Sequence, residues 1–178
     1  MPLTSESLAI SRQFCCIDDI SLIKRVVISL QSGLVVILGS GAGTMSLAVL
    51  ETRPTLTIGL LTVDHKEESL AYERESWKAA CKENPFNVVQ SLKDSSQAGR
   101  DFTRSVDFLV IDSDHTEWGV EKDLRAWMKH IKTNGHIMLH DYTDIYPGTK
   151  ISADRMLVEP MWKVITTEGW SRLYQKVR

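Results

Sequence analysis

The run Leu34-Val35-Val36-Ile37-Leu38, followed at once by Gly39-Ser40-Gly41-Ala42-Gly43, decides the fold class of this chain. Five consecutive apolar residues, three of them β-branched, predict a strand buried on both faces, as in the interior of a parallel sheet. Glycine at every second position then permits a sharp turn and close approach of a ligand to bare backbone. Thr44 to Glu51 supplies helix formers, so the unit reads strand, glycine turn, helix, with unpaired N–H groups aimed into the turn. The spacing is G-x-G-x-G, and Thr44 stands where the third glycine of a dinucleotide fingerprint would be, which favours S-adenosylmethionine over a nicotinamide cofactor.

Working outward, the alternation repeats. Downstream, Pro54 marks a break, and Thr57 to Val63 predicts a second strand ending at Asp64-His65. Glu67 to Lys82 predicts an amphipathic helix stopped by Asn84-Pro85, and Phe86 to Val89 a short third strand. Val106 to Ile111 is a fourth, ending at Asp112. Thr116 to Thr133 carries Val120, Leu124, Trp127, Met128 and Ile131 on one helical stripe, with Asn134-Gly135 as its stop. Trp127 is therefore expected in the core, and Trp118 is expected to pack as well, the wall of a substrate pocket being its alternative. His136 to Leu139 is a fifth strand ending at His140-Asp141. Ser152 to Val158 suggests a helix, and Trp162 to Thr166 with Trp170 to Val177 a hairpin turning at Glu168-Gly169. Upstream, Leu8, Ile20, Leu22, Ile23, Val26, Val27 and Leu30 recur at loosely helical spacing until Ser32-Gly33. The expected organisation is a helical extension over residues 1–32 and a single domain over 33–178.

Strands and helices in this order predict a doubly wound, Rossmann-like α/β sheet with helices on both faces. Ligands of such sheets bind beyond the carboxyl ends of the strands. Those ends carry the glycine turn, Asp64-His65, Asp112-Ser113-Asp114-His115 and His140-Asp141. Asp64, about 20 residues after the turn, is placed to accept hydrogen bonds from ribose hydroxyls. Carboxylates on neighbouring strand ends, about 5 Å apart, call for a proton or a cation between them. Carboxylates alone would suit Mg²⁺, Mn²⁺ or Ca²⁺, and two histidines with one carboxylate Fe²⁺. Capping of the helix near Thr116 is the alternative for Asp114 and His115.

Composition narrows the remaining classes. The chain has 178 residues, 43% apolar and 25% charged, with a net charge of −2. That is one globular unit with no electrostatic pull toward nucleic acid or an anionic membrane. No apolar run approaches the roughly 18 residues of a membrane span, and no basic and apolar leader opens the sequence. Cys15, Cys16 and Cys81 are three, two of them adjacent, which fits reduced thiols and a cytoplasmic location.

Val35 to Thr44, Leu61 to Asp64, Val106 to Thr116 and Met138 to Asp144 together resemble class I S-adenosylmethionine-dependent methyltransferases. Within these, the similarity is to the small O-methyltransferase-like branch that includes macrocin O-methyltransferase and the cephalosporin hydroxylase-like proteins. It spans about residues 30–178, and Asp107 to Asp123 is its most specific part. The resemblance implies a mostly parallel sheet of seven strands, the last antiparallel. It implies S-adenosylmethionine along Gly39, Ser40, Gly41, Gly43 and Thr44, its ribose at Asp64 and His65, with Ser91 and Asp94 near the adenine and Asp112 beside it. In metal-dependent relatives the fourth and fifth strand ends hold Mg²⁺, which maps to Asp112, His140 and Asp141; His140 departs from the usual acidic or amide residue. His115 stands at the offset of a catalytic lysine in catechol-type relatives and is the expected base, with Asp112 as its catalytic companion. A second departure is Ile37, where the family usually carries an acidic residue orienting the methionine end of the cofactor.

The expected activity is methylation of a small-molecule hydroxyl, in a cleft that a partner subunit could help complete. The other readings are a non-catalytic S-adenosylmethionine-binding scaffold, a nicotinamide-dependent oxidoreductase and a metal-dependent oxygenase-like enzyme.

Overall fold

The computed structural model describes residues 15–30, 32–52, 58–80 and 88–178. In chain order the elements are α1 (Ile17–Ser29), β1 (Gly33–Leu38), α2 (Thr44–Thr52), β2 (Ile58–Asp64), α3 (Glu67–Ala80), β3 (Val88–Leu92) and α4 (Ser95–Asp101). Then come β4 (Val106–Ile111), α5 (Glu117–Trp127), β5 (Ile131–Leu139), α6 (Pro147–Met156), β6 (Trp162–Glu168) and β7 (Ser171–Lys176). The seven strands form one sheet in the order β3-β2-β1-β4-β5-β7-β6. Strands β1 to β5 pair in parallel, whereas β7 runs antiparallel to both β5 and β6. From β1 the chain builds outward to β2 and β3 on one side and to β4 and β5 on the other, so the switch point lies between β1 and β4.

The continuous apolar runs do what their lack of alternation predicts: every residue from Leu34 to Leu38 is buried. Successive side chains enter opposite layers. Val36 and Leu38 pack with Val120, Leu124 and Trp127 of α5; Val35 and Ile37 pack with Leu22, Ile23, Val26 and Val27 of α1 and with Met45 and Val49 of α2. Helix α1 therefore covers one face of the sheet, its buried residues clustering with those of β1 and α2. Ile37 is core filler in that layer, which is why no carboxylate stands there.

Three local expectations are corrected. The helix expected to run to Thr133 ends at Trp127, passes through a 3₁₀ turn (Met128–His130) and gives way to β5 already at Ile131. Ile131 is buried by pairing with Val106 and not by the helical stripe, and Asn134, with φ 66°, sits in an excursion of β5. Helix α4 was not expected, because Ser-Ser-Gln-Ala-Gly-Arg-Asp has no apolar period; its signal is the N-cap Asp94, which accepts from Gln97 N at 3.0 Å. Trp118 does not pack: it is 72% exposed, in a shallow depression among Arg100, Lys122, Arg125 and Lys129. Trp127 is fully buried, as expected. The hairpin forms between β6 and β7, and the expected helix at Ser152 begins earlier, at Pro147. Leu8, the break at Pro54, Cys81 and the stop at Asn84-Pro85 lie outside the described residues. No helix among the described residues is long and apolar enough to cross a membrane.

Candidate active site

The strand ends stand level because the ladder bonds continue one residue past them. Gly39 N donates to Val63 O and Asp112 N to Leu38 O, both at 2.9 Å, and His140 N donates to Ile111 O at 3.1 Å. Gly39, with φ 85°, could carry no side chain, since a Cβ would collide with the backbone carbonyl of Asp112. Gly41, with φ 49°, has open space in front of it. Beyond these ends lies a cleft of about 570 Å³, lined by Gly39, Gly41, Asp64, His65, Asp94 and Asp112 and also by Lys66, Ser95, Ser113, Lys122 and Asp123.

Several predicted residues line this cleft and others support it from behind. Asp64 Oδ2 accepts from Ser40 N at 3.0 Å and from Ser40 Oγ at 3.1 Å, while Oδ1 accepts from Lys66 N at 2.9 Å. Ser40 thus ties the glycine turn to the end of β2. Gly43 packs on Glu73 of α3, and Thr44 opens α2. Glu73 is fully buried, and burial pushes its carboxyl up to about 7 against hydrogen bonds from Gln90 and Thr62. Ser91 does not reach the cleft; it lines a separate depression with Gln90, Lys93 and Phe102. Asp94 does, and its carboxyl is held down at about 2, chiefly by Ser96 Oγ, with Gln97 N and Lys122 adding to it. Asp123, unmarked in the sequence, accepts from Ser95 Oγ and Ser113 Oγ, each at 2.5 Å, and so fixes the far wall. Asp114 Oδ1 accepts from Thr116 N and organises the loop into α5, but the N-cap is Thr116 itself, whose hydroxyl accepts from Gly119 N, so neither Asp114 nor His115 caps the helix.

On the other side of Asp112, carboxylates and imidazoles alternate. His115 Nε2 is 2.9 Å from Asp141 Oδ2 and 3.4 Å from Asp112 Oδ1. His140 Nδ1 is 2.9 Å from Asp112 Oδ1 and 3.4 Å from Asp141 Oδ2. Asp141 is held in the left-handed region, with φ 54°, a sparsely populated conformation for a residue with a Cβ. The hydrogen bonds to Asp112 and then Asp141 push His115 up to about 9, so it carries a proton at neutral pH. Burial disfavours the charged form of His140, but Asp112, Asp141 and Asp19 outweigh it and raise the imidazole far above its ordinary range. Asp141 is correspondingly lowered: burial opposes this, and the bonds from His115 and His140 prevail. Tyr146 stacks on His115 with ring centroids 4.7 Å apart, and Tyr142 OH donates to Asp154 Oδ1 at 2.7 Å under the Arg172 guanidinium.

The trio Asp112, His140 and Asp141 is divided between two donor groups among the described residues. Asp112, His115 and Asp141 gather at the cleft mouth; His140 turns its other nitrogen toward a buried group with Cys15 and Asp19. Asp19 comes from α1, and it also accepts from Trp170 N at 3.0 Å and Ser171 Oγ at 2.7 Å. Nothing local in the sequence marks it, apart from its being an acidic residue in the first turn of a helix.

A family model described as a methyltransferase domain matches residues 36–142, more than half of the chain. No curated protein matches the sequence. Among solved structures, TrmN from Thermus thermophilus aligns with a TM-score of 0.67 at 17% identity, over 89% of this chain and 48% of that one, so the chain spans about half of its length. A Streptococcus mutans protein assigned as a methyltransferase, solved in complex with SAH, aligns at 0.69 and 12% identity, over 89% and 97% of the two chains. A Staphylococcus aureus protein assigned as a caffeoyl-CoA O-methyltransferase aligns at 0.72 and 13% identity, over 98% and 93%. At such identities the likeness bears on the fold.

Proposed function

The chain belongs to this methyltransferase-domain family, and from that premise we propose that it transfers the methyl group of S-adenosylmethionine to an oxygen of a small hydroxylated molecule. One observation carries the proposal: a glycine turn and a ribose-type carboxylate open on the same cleft whose far lip, at Asp112, joins two carboxylates to two imidazoles. The cleft fits the cofactor chemically. Gly39 and Gly41 leave backbone bare, and Asp64 Oδ1 accepts one backbone bond, which leaves capacity for a ribose hydroxyl. Asp94, Ser95 and Asp123 would face the adenine end. The complex of the Streptococcus mutans protein with SAH and the O-methyltransferase assignment of the Staphylococcus aureus protein support the same direction.

When bound, S-adenosylmethionine supplies an electrophilic methyl on a sulfonium sulfur. The chain's part is to place the acceptor oxygen in line and to take its proton. His115 Nε2 reaches both carboxylates from the cleft side, as His140 Nδ1 does from the buried side, and as a cation it holds a proton instead of accepting one. The oxygens of Asp112 and Asp141, gathered at the cleft mouth, suit a divalent cation. With their oxygens turned to such an ion, Asp112 and Asp141 would release His115 as a neutral imidazole able to accept the hydroxyl proton at Nε2. His140, fixed from behind, keeps both carboxylates aimed.

Ile37 favours a second reading, a protein that binds the cofactor without turning it over, because the carboxylate usual at that place is missing. Calorimetric titration with S-adenosylhomocysteine, with and without Mg²⁺, followed by labelled methyl transfer to a panel of hydroxylated acceptors, tests both readings. We expect binding and transfer. Binding without transfer to any acceptor would favour the second reading, and the absence of any heat would overturn both.

A further inference from the structure

We propose that Cys15, Asp19 and His140 form a buried zinc site, separate from the cleft, that pins α1 to the end of β5. The three residues are 4%, 0% and 2% exposed, and one donor atom from each lies within 4.8 Å of the others. Asp19 Oδ2 is 4.0 Å from Cys15 Sγ and 3.4 Å from His140 Nε2. Donors bound at about 2.0–2.3 Å to a tetrahedral ion stand about 3.3–3.6 Å apart, so the imidazole and carboxylate are already spaced for zinc and the thiol has about half an ångström to close.

The second, independent observation is His140 Nε2. It is buried, makes no hydrogen bond, and points into the space bounded by the thiol and the carboxylate. A buried ring nitrogen that faces a carboxylate at 3.4 Å outside hydrogen-bond geometry is poorly satisfied, and a metal bond would complete it. The surroundings also suit a ligand set. His140 Nδ1 faces Asp112 Oδ1 at 2.9 Å, the carboxylate–histidine arrangement that fixes tautomer and ring orientation behind a metal. Asp19 Oδ1 is fixed by Ser171 Oγ and Trp170 N, and Oδ2 accepts from Cys16 N at 3.0 Å. A side chain on Gly169 would strike both Cys16 Sγ and Asp19 Oδ1, so a second thiol lies beside the outer carboxylate oxygen, outside the three-donor group.

Thiolate and imidazole donors select zinc over Mg²⁺ or Ca²⁺, which take oxygen ligands. Binding displaces the Cys15 proton and the proton on His140 Nε2 to solvent, and full burial of the three donors marks a structural ion. It would be chemically distinct from the oxygen-rich group at the cleft mouth, which shares none of its three residues and meets it only through the other nitrogen of His140.

The test is metal content and cobalt spectroscopy on the full chain. Protein made in zinc-containing medium and desalted should retain about one zinc per chain by plasma mass spectrometry. Replacement by Co²⁺ should give a thiolate-to-cobalt charge-transfer band in the near ultraviolet. C15S should lose the band, and D19N should lower retained zinc at least tenfold. D141N, at the cleft mouth, should keep both band and zinc. Circular dichroism establishes that each variant is folded, and the wild-type cobalt spectrum decides the matter even where a variant is not. A wild-type protein that takes up neither ion after denaturation and refolding in its presence would leave a plain Asp19–His140 ion pair and overturn the proposal. So would zinc retained in C15S and lost in D141N. Titration with S-adenosylhomocysteine on the same samples reports separately on the cleft.

Discussion

The two halves of the cleft hold their carboxylates in opposite ways. Asp64 is held by neutral donors, a serine hydroxyl and two backbone amides, at the edge of the cleft. Asp112 and Asp141 are held by imidazoles whose own protonation depends on them. The difference teaches that the first half is a rigid receptor, whereas the second is a coupled set of charges that a ligand or an ion can rearrange. A change in the first half should therefore appear in binding, and a change in the second in chemistry.

The largest effect expected from this contrast is on turnover. His115→Gln should lower methyl transfer about a thousandfold, within the range of a lost general base, while S-adenosylhomocysteine affinity stays within about threefold. A parallel loss of affinity would erase the division between the halves. The next concerns Asp64→Ala, which removes an anionic acceptor and frees the glycine turn. Affinity for S-adenosylhomocysteine should fall about a hundredfold by calorimetry.

Glu73, under the same turn, gives a smaller effect of another kind. Its folded-state carboxyl, at about 7, lies above the ordinary 4.5, so the stability it supports is complete below pH 4.5 and falls as pH rises to about 7. Glu73→Gln should therefore match the wild type at pH 4 and exceed it by about 2 kcal/mol at pH 8 in denaturant unfolding. Equal stabilities at pH 8 would mean the acid finds a cation there. The last effect is a slope. With Mg²⁺ absent, transfer should rise about tenfold per pH unit up to about 9, because His115 must lose its proton to act as a base. Adding Mg²⁺ should move that rise to lower pH; a rate independent of pH from 6 to 9 would remove His115 from the role.

The same contrast explains what was legible in the sequence. The receptor half is built from contiguous residues, and a buried strand, a glycine turn and an acid about 20 residues later are local signals of backbone geometry. The sheet was readable for the same reason. The charged half is assembled from residues 19, 112, 115, 140 and 141, and its partnerships depend on which strand ends become neighbours. Asp112, His115, His140 and Asp141 could be listed as candidates, but their pairing could not be read. Asp19 was invisible, since an acid in the first turn of a helix is ordinary until its helix docks. The early end of α5 was hidden because Ile131 continued a helical period for a reason that lies in β4.

Asp19 joins segments 152 residues apart, at Ser171. During synthesis the glycine turn and Asp64 leave the ribosome long before Ser171 does, so a nascent chain could meet a nucleoside while His140 still lacks its rear support. The hairpin of β6 and β7 thus ties the first described helix to a distant part of the sequence, and the rear support of His140 waits on both.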